Sequence, residues 1–444
     1  MNFLSSLGNN KNGDCMTIKN YNEKLFHFIE QATCCFTGVQ EIRRQLLEEG
    51  FIELLENEEW ALDKNKKYFV IRNDASIIAF TLGNMASFHI TCTHVDTPGF
   101  MIKPKNEIYE KNYLKINVFP YGGLLNYAWL DEALSIAGRV IVKRENHFFK
   151  EIIDLKEPLL CIPSVAIHQN SQANQNLALN DQIDMIPILS LTNKKEVLKS
   201  MLSQFLKLKA NEELFDYDLF LYATAKPEFL GLKKEMILSP RLDDLACVFP
   251  ALKSFIDNKN KNNNTIFCAF NSEEIGSLTK EGADSSFLMD ILKRISAFLE
   301  KDLSIMISNS TILSADNTHA THPNHPGNSD INNEALLNKG IVVSKDASST
   351  TDSITSSLFK GICDRKNVPY QDFVTKNDMT SGSTLSGISL RHVSIDSIDI
   401  GLGQLAMHGA KEIIGKEDSY FLYNAFKSFY ETQIIKQQNH LTLK

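Results

Sequence analysis

Five short stretches of this chain concentrate side chains that hold cations or move protons. His94-Val-Asp96 sets an imidazole two residues from a carboxylate. A neutral imidazole is a good zinc ligand, and its other ring nitrogen usually donates to a carboxylate, so Asp96 suits an orienting or a ligating role. Arg241-Leu-Asp243-Asp244 precedes a helical pattern. Acids at a helix start commonly cap it, which suits Asp244, and Asp243 is the better ligand candidate. Asn271-Ser-Glu273-Glu274 follows an apolar run, and paired acids allow one to bind metal while the other moves protons. Asp316, His319 and His322 fall within seven residues of a chain with eleven histidines. His408 sits in the glycine-rich run Gly401–Gly409. Together, His94, His408, Asp243, Asp316 and one or both of Glu273 and Glu274 match a bridged two-zinc site, with ions about 3.5–4 Å apart.

The elements that must position these residues show in the periodicity. Residues 20–56 read helical, with Val39, Ile42 and Leu46 at helical spacing and Gly50 as a C-cap. Residues 68–71 and 77–81 form a predicted hairpin, and 88–93 a strand ending at His94. From about 100 to 235 short strand-like runs dominate: 114–119, 139–142, 162–167 and 218–223. Beyond 236, helix and strand alternate, with a helix at 245–256 and strands at 265–270, 301–307 and 396–400. That alternation predicts an α/β fold, a parallel or mixed sheet with helices on both faces. The domain reading is one α/β unit, 1–95 plus 236–444, interrupted by a β-rich insertion at 96–235. Residues 257–264 (DNKNKNNN) read as a solvated loop, 348–357 as a loop or surface turn, and 1–15 as a leader. The turn Gly382-Ser383-Thr384 offers backbone and hydroxyl donors for the site.

Composition narrows the class. Acidic residues outnumber basic ones, 54 to 46, with no clustered Lys and Arg, which argues against a nucleic-acid partner. No apolar run approaches the roughly 18–20 residues of a membrane span, and the polar N-terminus lacks a signal-peptide core. The eight cysteines are scattered with no CxxC pair, which predicts reduced thiols and a cytoplasmic location.

These motifs, in order, resemble family M18 of the zinc aminopeptidases, which holds aspartyl aminopeptidase and yeast vacuolar aminopeptidase I. The matching stretches are RNDASIIAF (72–80), HVDTPGFMIKPK (94–105), YGGLLNYAWLD (121–131), SIAGRVIV (135–142), IPSVAIH (162–168), RLDDL (241–245), NSEEIGS (271–277), SADNTHATHPN (314–324), SGSTLSGIS (381–389) and IDIGLGQLAMH (398–408). The resemblance covers about residues 22–430 and implies an α/β/α zinc-peptidase domain interrupted by a dimerisation domain. It implies two Zn²⁺ per subunit, with Co²⁺ or Mn²⁺ as alternatives, acting on peptide N-termini. By it, Asp243 bridges the metals, His94 and Asp316 complete one ligand set, and Glu274 and His408 the other. Glu273 is the general base and Asp96 holds His94. His319, His322 and Lys345 are implied as substrate contacts, and His168 as a residue reaching a neighbouring subunit's site in a tetrahedral dodecamer. The family pattern RLDN reads RLDD here, so Asp244 replaces an Asn, and His325 stands for the Tyr of HPNY.

Two rival readings use the same residues. Another di-metal hydrolase, such as a deacylase, needs the same ligands and differs only in its specificity pocket. A non-catalytic relative would have lost Glu273 or a ligand, and none is lost. GxSxG and HExxH are both absent.

Overall fold

The computed structural model describes residues 17–347, 349–379 and 391–444. A nine-stranded mixed sheet forms the backbone of the molecule. Its strands are β1 (Phe51–Leu54), β2 (Lys67–Arg72), β3 (Ser76–Thr81), β4 (Phe88–His94), β14 (Asn264–Phe270), β15 (Thr311–Ala315), β17 (Ile341–Ser344), β18 (Tyr370–Phe373) and β19 (Asp396–Gly401). The spatial order is β1-β2-β3-β14-β4-β15-β19-β17-β18. The central four, β14-β4-β15-β19, run parallel. Every residue of β4, β14 and β15 is buried, as expected of strands covered on both faces.

Alternation along the strands divides the core in two. Phe267 and Ala269 face helices α1 (Ile18–Gln31), α2 (Cys35–Glu48), α4 (Leu242–Asp257), α7 (Ser353–Asp364) and α8 (Asp418–Glu431). Ile266, Cys268 and Phe270 face α5 (Phe287–Phe298) and α6 (Leu303–Asn309). The sheet therefore carries helices on both sides, as the alternation predicts.

A second body lies between β4 and α4 in the chain. Its strands are β5 (Gly99–Glu110), β6 (Tyr113–Tyr121), β7 (Ala133–Arg144), β8 (His147–Asp154), β9 (Leu160–Cys161), β10 (Ile188–Ser190) and β11 (Glu212–Ala223). They run in the order β11-β5-β6-β10-β9-β7-β8, and β11 also pairs with β7, so six of them close into a ring around their own core. Helix α3 (Val197–Phe205) packs Leu198 and Leu202 into that core. A smaller sheet, β12 (Glu228–Leu230), β13 (Met236–Ser239), β21 (Glu412–Gly415), β20 (Gly403–Leu405) and β16 (Thr318–His319), runs beside the strand ends. The hairpin β22–β23 (Ile434–Gln437, His440–Leu443) closes the chain.

Several expectations need correction. The single helix over 20–56 is two, because Thr37 Oγ1 accepts the N–H groups of Thr33 and Cys34 (both 2.9 Å) and breaks the path between them. Phe51–Leu54 is a strand parallel to β2, after Gly50 turns the chain at φ +77. Residues 301–307 hold a helix, not a strand: Asp302 caps α6 by accepting Ile305 N–H at 3.0 Å. Residues 162–167 form no strand, since pairing stops at Cys161. The polar run 257–264 is not all solvated; Asn263 and Asn264 are fully buried, and Asn263 Nδ2 donates to Tyr430 O and Thr432 O, both at 3.0 Å. Within 348–357, Asp352 caps α7 through Ile354 and Thr355 N–H. Residues 1–15, Ser348 and the Gly382–Thr384 turn lie outside the described residues.

Candidate metal centre

The parallel strands deliver their chemistry at their carboxyl ends, where open α/β sheets build sites. His94 is the last residue of β4, Asp316 follows β15, and Asn271-Ser-Glu273-Glu274 follows β14. Asp243 and Asp244 lie at the start of α4, before its regular turns, joined by a cis peptide. His408 comes from the turn between β20 and β21. Gly122, at φ +79, lets the end of β6 pass close to Glu274; a Cβ there would stand 3.2 Å from Glu274 Oε2.

His94 Nε2 stands 3.2 Å from Asp243 Oδ1 and 3.6 Å from Asp316 Oδ1. His408 Nε2 stands 3.6 Å from Asp243 Oδ2 and 3.5 Å from Glu274 Oε2. Asp243 thus faces both imidazoles, one with each oxygen. The opposite ring nitrogens fix the tautomers. His94 Nδ1 lies 3.0 Å from the Asp96 carbonyl and His408 Nδ1 2.6 Å from the Gly123 carbonyl. A carbonyl only accepts, so Nδ1 carries the proton in both rings. Each Nε2 then faces carboxylate oxygens, an arrangement that calls for positive charge between them, either a ring proton, which the raised pKa of both histidines favours, or a metal ion in its place. Asp243 Oδ1, Asp244 Oδ1 and Glu274 Oε1 are buried with no hydrogen-bond donor, which points the same way. The donors are imidazole nitrogen and carboxylate oxygen, a set suited to zinc and to harder divalent ions.

The acids are held in unequal states. Burial pushes the Glu274 carboxyl well above its ordinary range, reinforced by Asp243, and raises Asp316. For Asp243 burial acts in the same direction, but His408 and His94 outweigh it and hold its carboxyl low. Burial, then Asp316, pushes Glu273 up to about 8. Asp96 is almost fully buried: its Oδ1 lies 3.5 Å from His94 Nδ1, and its carboxylate accepts Tyr121 O–H (2.8 Å) and the N–H groups of Glu273 (3.3 Å) and Glu274 (3.2 Å). It therefore ties His94 to the loop carrying both glutamates.

A cavity of about 500 Å³ opens from the cluster. His319 and His322 line it, as do Asp346, Thr375 and Lys376. Lys345, at the end of β17, and His168, exposed in the loop after β9, are not in that lining.

Several residues escaped the sequence reading. Asp244 makes no capping hydrogen bond; it is fully buried, and its Oδ2 accepts His94 N–H at 3.2 Å. Glu412, also buried, accepts Asp243 N–H on Oε2 (3.0 Å) and His408 N–H on Oε1 (2.8 Å), holding two chain segments of the cluster at once. Arg241 donates to three carbonyls, Ala32 (3.1 Å), Ile29 (3.1 Å) and Ala223 (3.1 Å). Only the spacing of Glu412, four residues after His408, offered a signal in the sequence.

A mixed sheet with imidazoles and carboxylates gathered at its parallel strand ends defines a metal-dependent hydrolase. The profile of the family described as "Aminopeptidase I zinc metalloprotease (M18)" matches residues 28–430, and the chain belongs to that family. It is 41% identical to "Probable M18 family aminopeptidase 2" of Clostridium novyi (strain NT) over 429 residues, 93% of this chain and 99% of that one. Among solved structures it is similar to "Crystal structure of prApe1", with TM-score 0.89 at 28% identity over 94% of each chain. "Structure of S. cerevesiae mApe1 dodecamer" superposes with TM-score 0.81 at 26% identity, covering 92% of this chain and 96% of that one. The protein is accordingly a metallo-aminopeptidase.

Proposed function

We propose that the enzyme removes single residues from peptide N-termini using two divalent ions, both of which Asp243 would help to hold. His94 and Asp316 would complete one ligand set, and Glu274 and His408 the other. The observation that carries this reading is the pair of imidazole Nε2 atoms, each facing a different oxygen of Asp243. When bound, the ions would supply Lewis-acid polarisation of the scissile carbonyl and lower the pKa of the attacking water. Glu273 would take the proton of the attacking water and pass it to the leaving amine. Asp96 and the Asp96 carbonyl hold the His94 ring in one tautomer.

His319 and His322 are proposed substrate contacts, since both border the cavity. Lys345 is the proposed cation for an acidic side chain, and His168 a proposed contribution to a neighbouring subunit's site. Residues 96–235 would serve as the dimerisation domain of a dodecamer, by analogy with the dodecameric relative. A cytoplasmic location fits the seven free cysteines among the described residues, none of whose helices is long and apolar enough to cross a membrane.

The test is hydrolysis of aminoacyl-p-nitroanilides carrying Asp, Glu and Leu, with Zn²⁺, Mn²⁺ or Co²⁺ added. Metal-dependent release is expected, and Glu273→Gln should lower it about 10²–10⁴-fold while metal stays bound. Metal-loaded protein that cleaves none of these substrates, but does cleave an acylamino acid, would make it a deacylase.

A further inference from the structure

Asp244 stands where the family pattern has an asparagine, and its surroundings give that change a chemical meaning. His94, Asp243, Asp244 and Asp316 each offer a ligand atom, all within 4.8 Å of one another. Asp244 is fully buried. One of its oxygens accepts His94 N–H, and the other, Oδ1, has no donor. Cys247 Sγ, 3.2 Å from Asn317 Oδ1, is also within hydrogen-bond reach of the Asp244 carboxylate, so its one proton has two acceptors. An asparagine in this place keeps one acceptor oxygen and turns an N–H₂ toward the acids. Aspartate turns a second lone pair toward them instead, so three carboxylates converge beside one imidazole.

We infer that Asp244 is a further ligand of the ion held by His94 and Asp316, and that it raises the affinity of this position for a hard divalent cation such as Mn²⁺ more than for Zn²⁺. The inference rests on the two-metal reading above. Each carboxylate added to a ligand set favours Mn²⁺ and Mg²⁺, whereas imidazole favours zinc, so one extra carboxylate moves the balance toward the harder ion. The other ion, with Glu274 and His408, gains nothing from Asp244 and keeps the zinc preference of a mixed nitrogen and oxygen set. The result is two unequal positions in one cluster.

The experiment is calorimetric titration of the metal-stripped full-length protein with Mn²⁺ and, separately, Zn²⁺, comparing wild type with Asp244→Asn. Wild type should bind two ions of either metal per chain; fewer than two would sink the two-metal reading itself, whatever the variant does. With two sites in place, Asp244→Asn should weaken Mn²⁺ at one site at least about tenfold and Zn²⁺ by much less. Equal Mn²⁺ and Zn²⁺ affinities in the two proteins would overturn the inference and mean that Asp244 holds a proton and imitates the amide. Should the variant fail to fold by circular dichroism, a crystal structure of Mn²⁺-loaded wild type decides. Asp244 Oδ1 at bonding distance from an ion supports the inference, and its separation from both ions overturns it.

Discussion

Strand β4 carries two buried histidines, one near each end, in opposite electrostatic settings. His89 is 2% exposed and His94 1%, so burial does not distinguish them. His89 sits at the amino-terminal end, its ring centroid 5.1 Å from that of Phe429, and burial lowers its pKa to about 4. It is therefore a neutral core residue. His94, five positions on, meets the same burial, but Asp243, Asp316 and Asp96 outweigh it and pull its pKa well above the ordinary value. The carboxyl end of the strand opens onto loops rich in acids, while the amino end is covered by α8. A histidine's role here follows from which end of the sheet it reaches.

This contrast can be broken most severely at the acids. Asp243→Ala removes the oxygens shared by both imidazoles; bound metal, read by elemental analysis, should fall from two ions per chain toward none, and peptidase activity should vanish. If two ions remain, the cluster does not depend on Asp243. A finer test is Glu412→Gln, which puts an amide N–H₂ against one of two backbone N–H groups. It should lower metal affinity about 10–100-fold without unfolding the protein, and Glu412→Asp should recover little because the shorter side chain cannot span both segments. Metal titrations identical to wild type would reduce Glu412 to a packing residue.

The smallest effect lies at the other histidine. The folded pKa of His89 is depressed, so the unfolded chain binds the extra proton between about pH 6.5 and 4, and stability falls as pH drops through that window. From pH 7 to 5 this amounts to about 2 kcal/mol. His89→Leu should lose that much less stability over the interval in urea titrations, and an unchanged pH dependence would show that His89 does not govern it.

Much of the site was legible because its residues travel in short motifs at strand ends. His94, Glu273 and Glu274 each follow an apolar run read as a strand, so type and place could be read together; the strand before Asp316 was not read, and Asp316 stood out only by its nearness to His319 and His322. Asp244 and Glu412 were less legible for a physical reason. A capping aspartate and an aspartate aimed back at a neighbouring strand look alike in sequence, and the difference lies in the chain path at the start of α4. Glu412 gains its meaning only when β21 brings it beneath two segments remote from each other in the chain. In the fold, residues 301–307 misled because β-branched and apolar residues occur there at both periods, and Asp302 decides for helix by capping it.

Arg241 has a mechanical consequence. Its guanidinium grips the end of α1 and the adjoining turn through the Ile29 and Ala32 carbonyls, and the last residue of the strand ring through the Ala223 carbonyl. It stands two residues before Asp243. Shear between the helical layer and the ring would stretch these bonds at the root of Asp243, so Arg241 pins the two bodies together at this point.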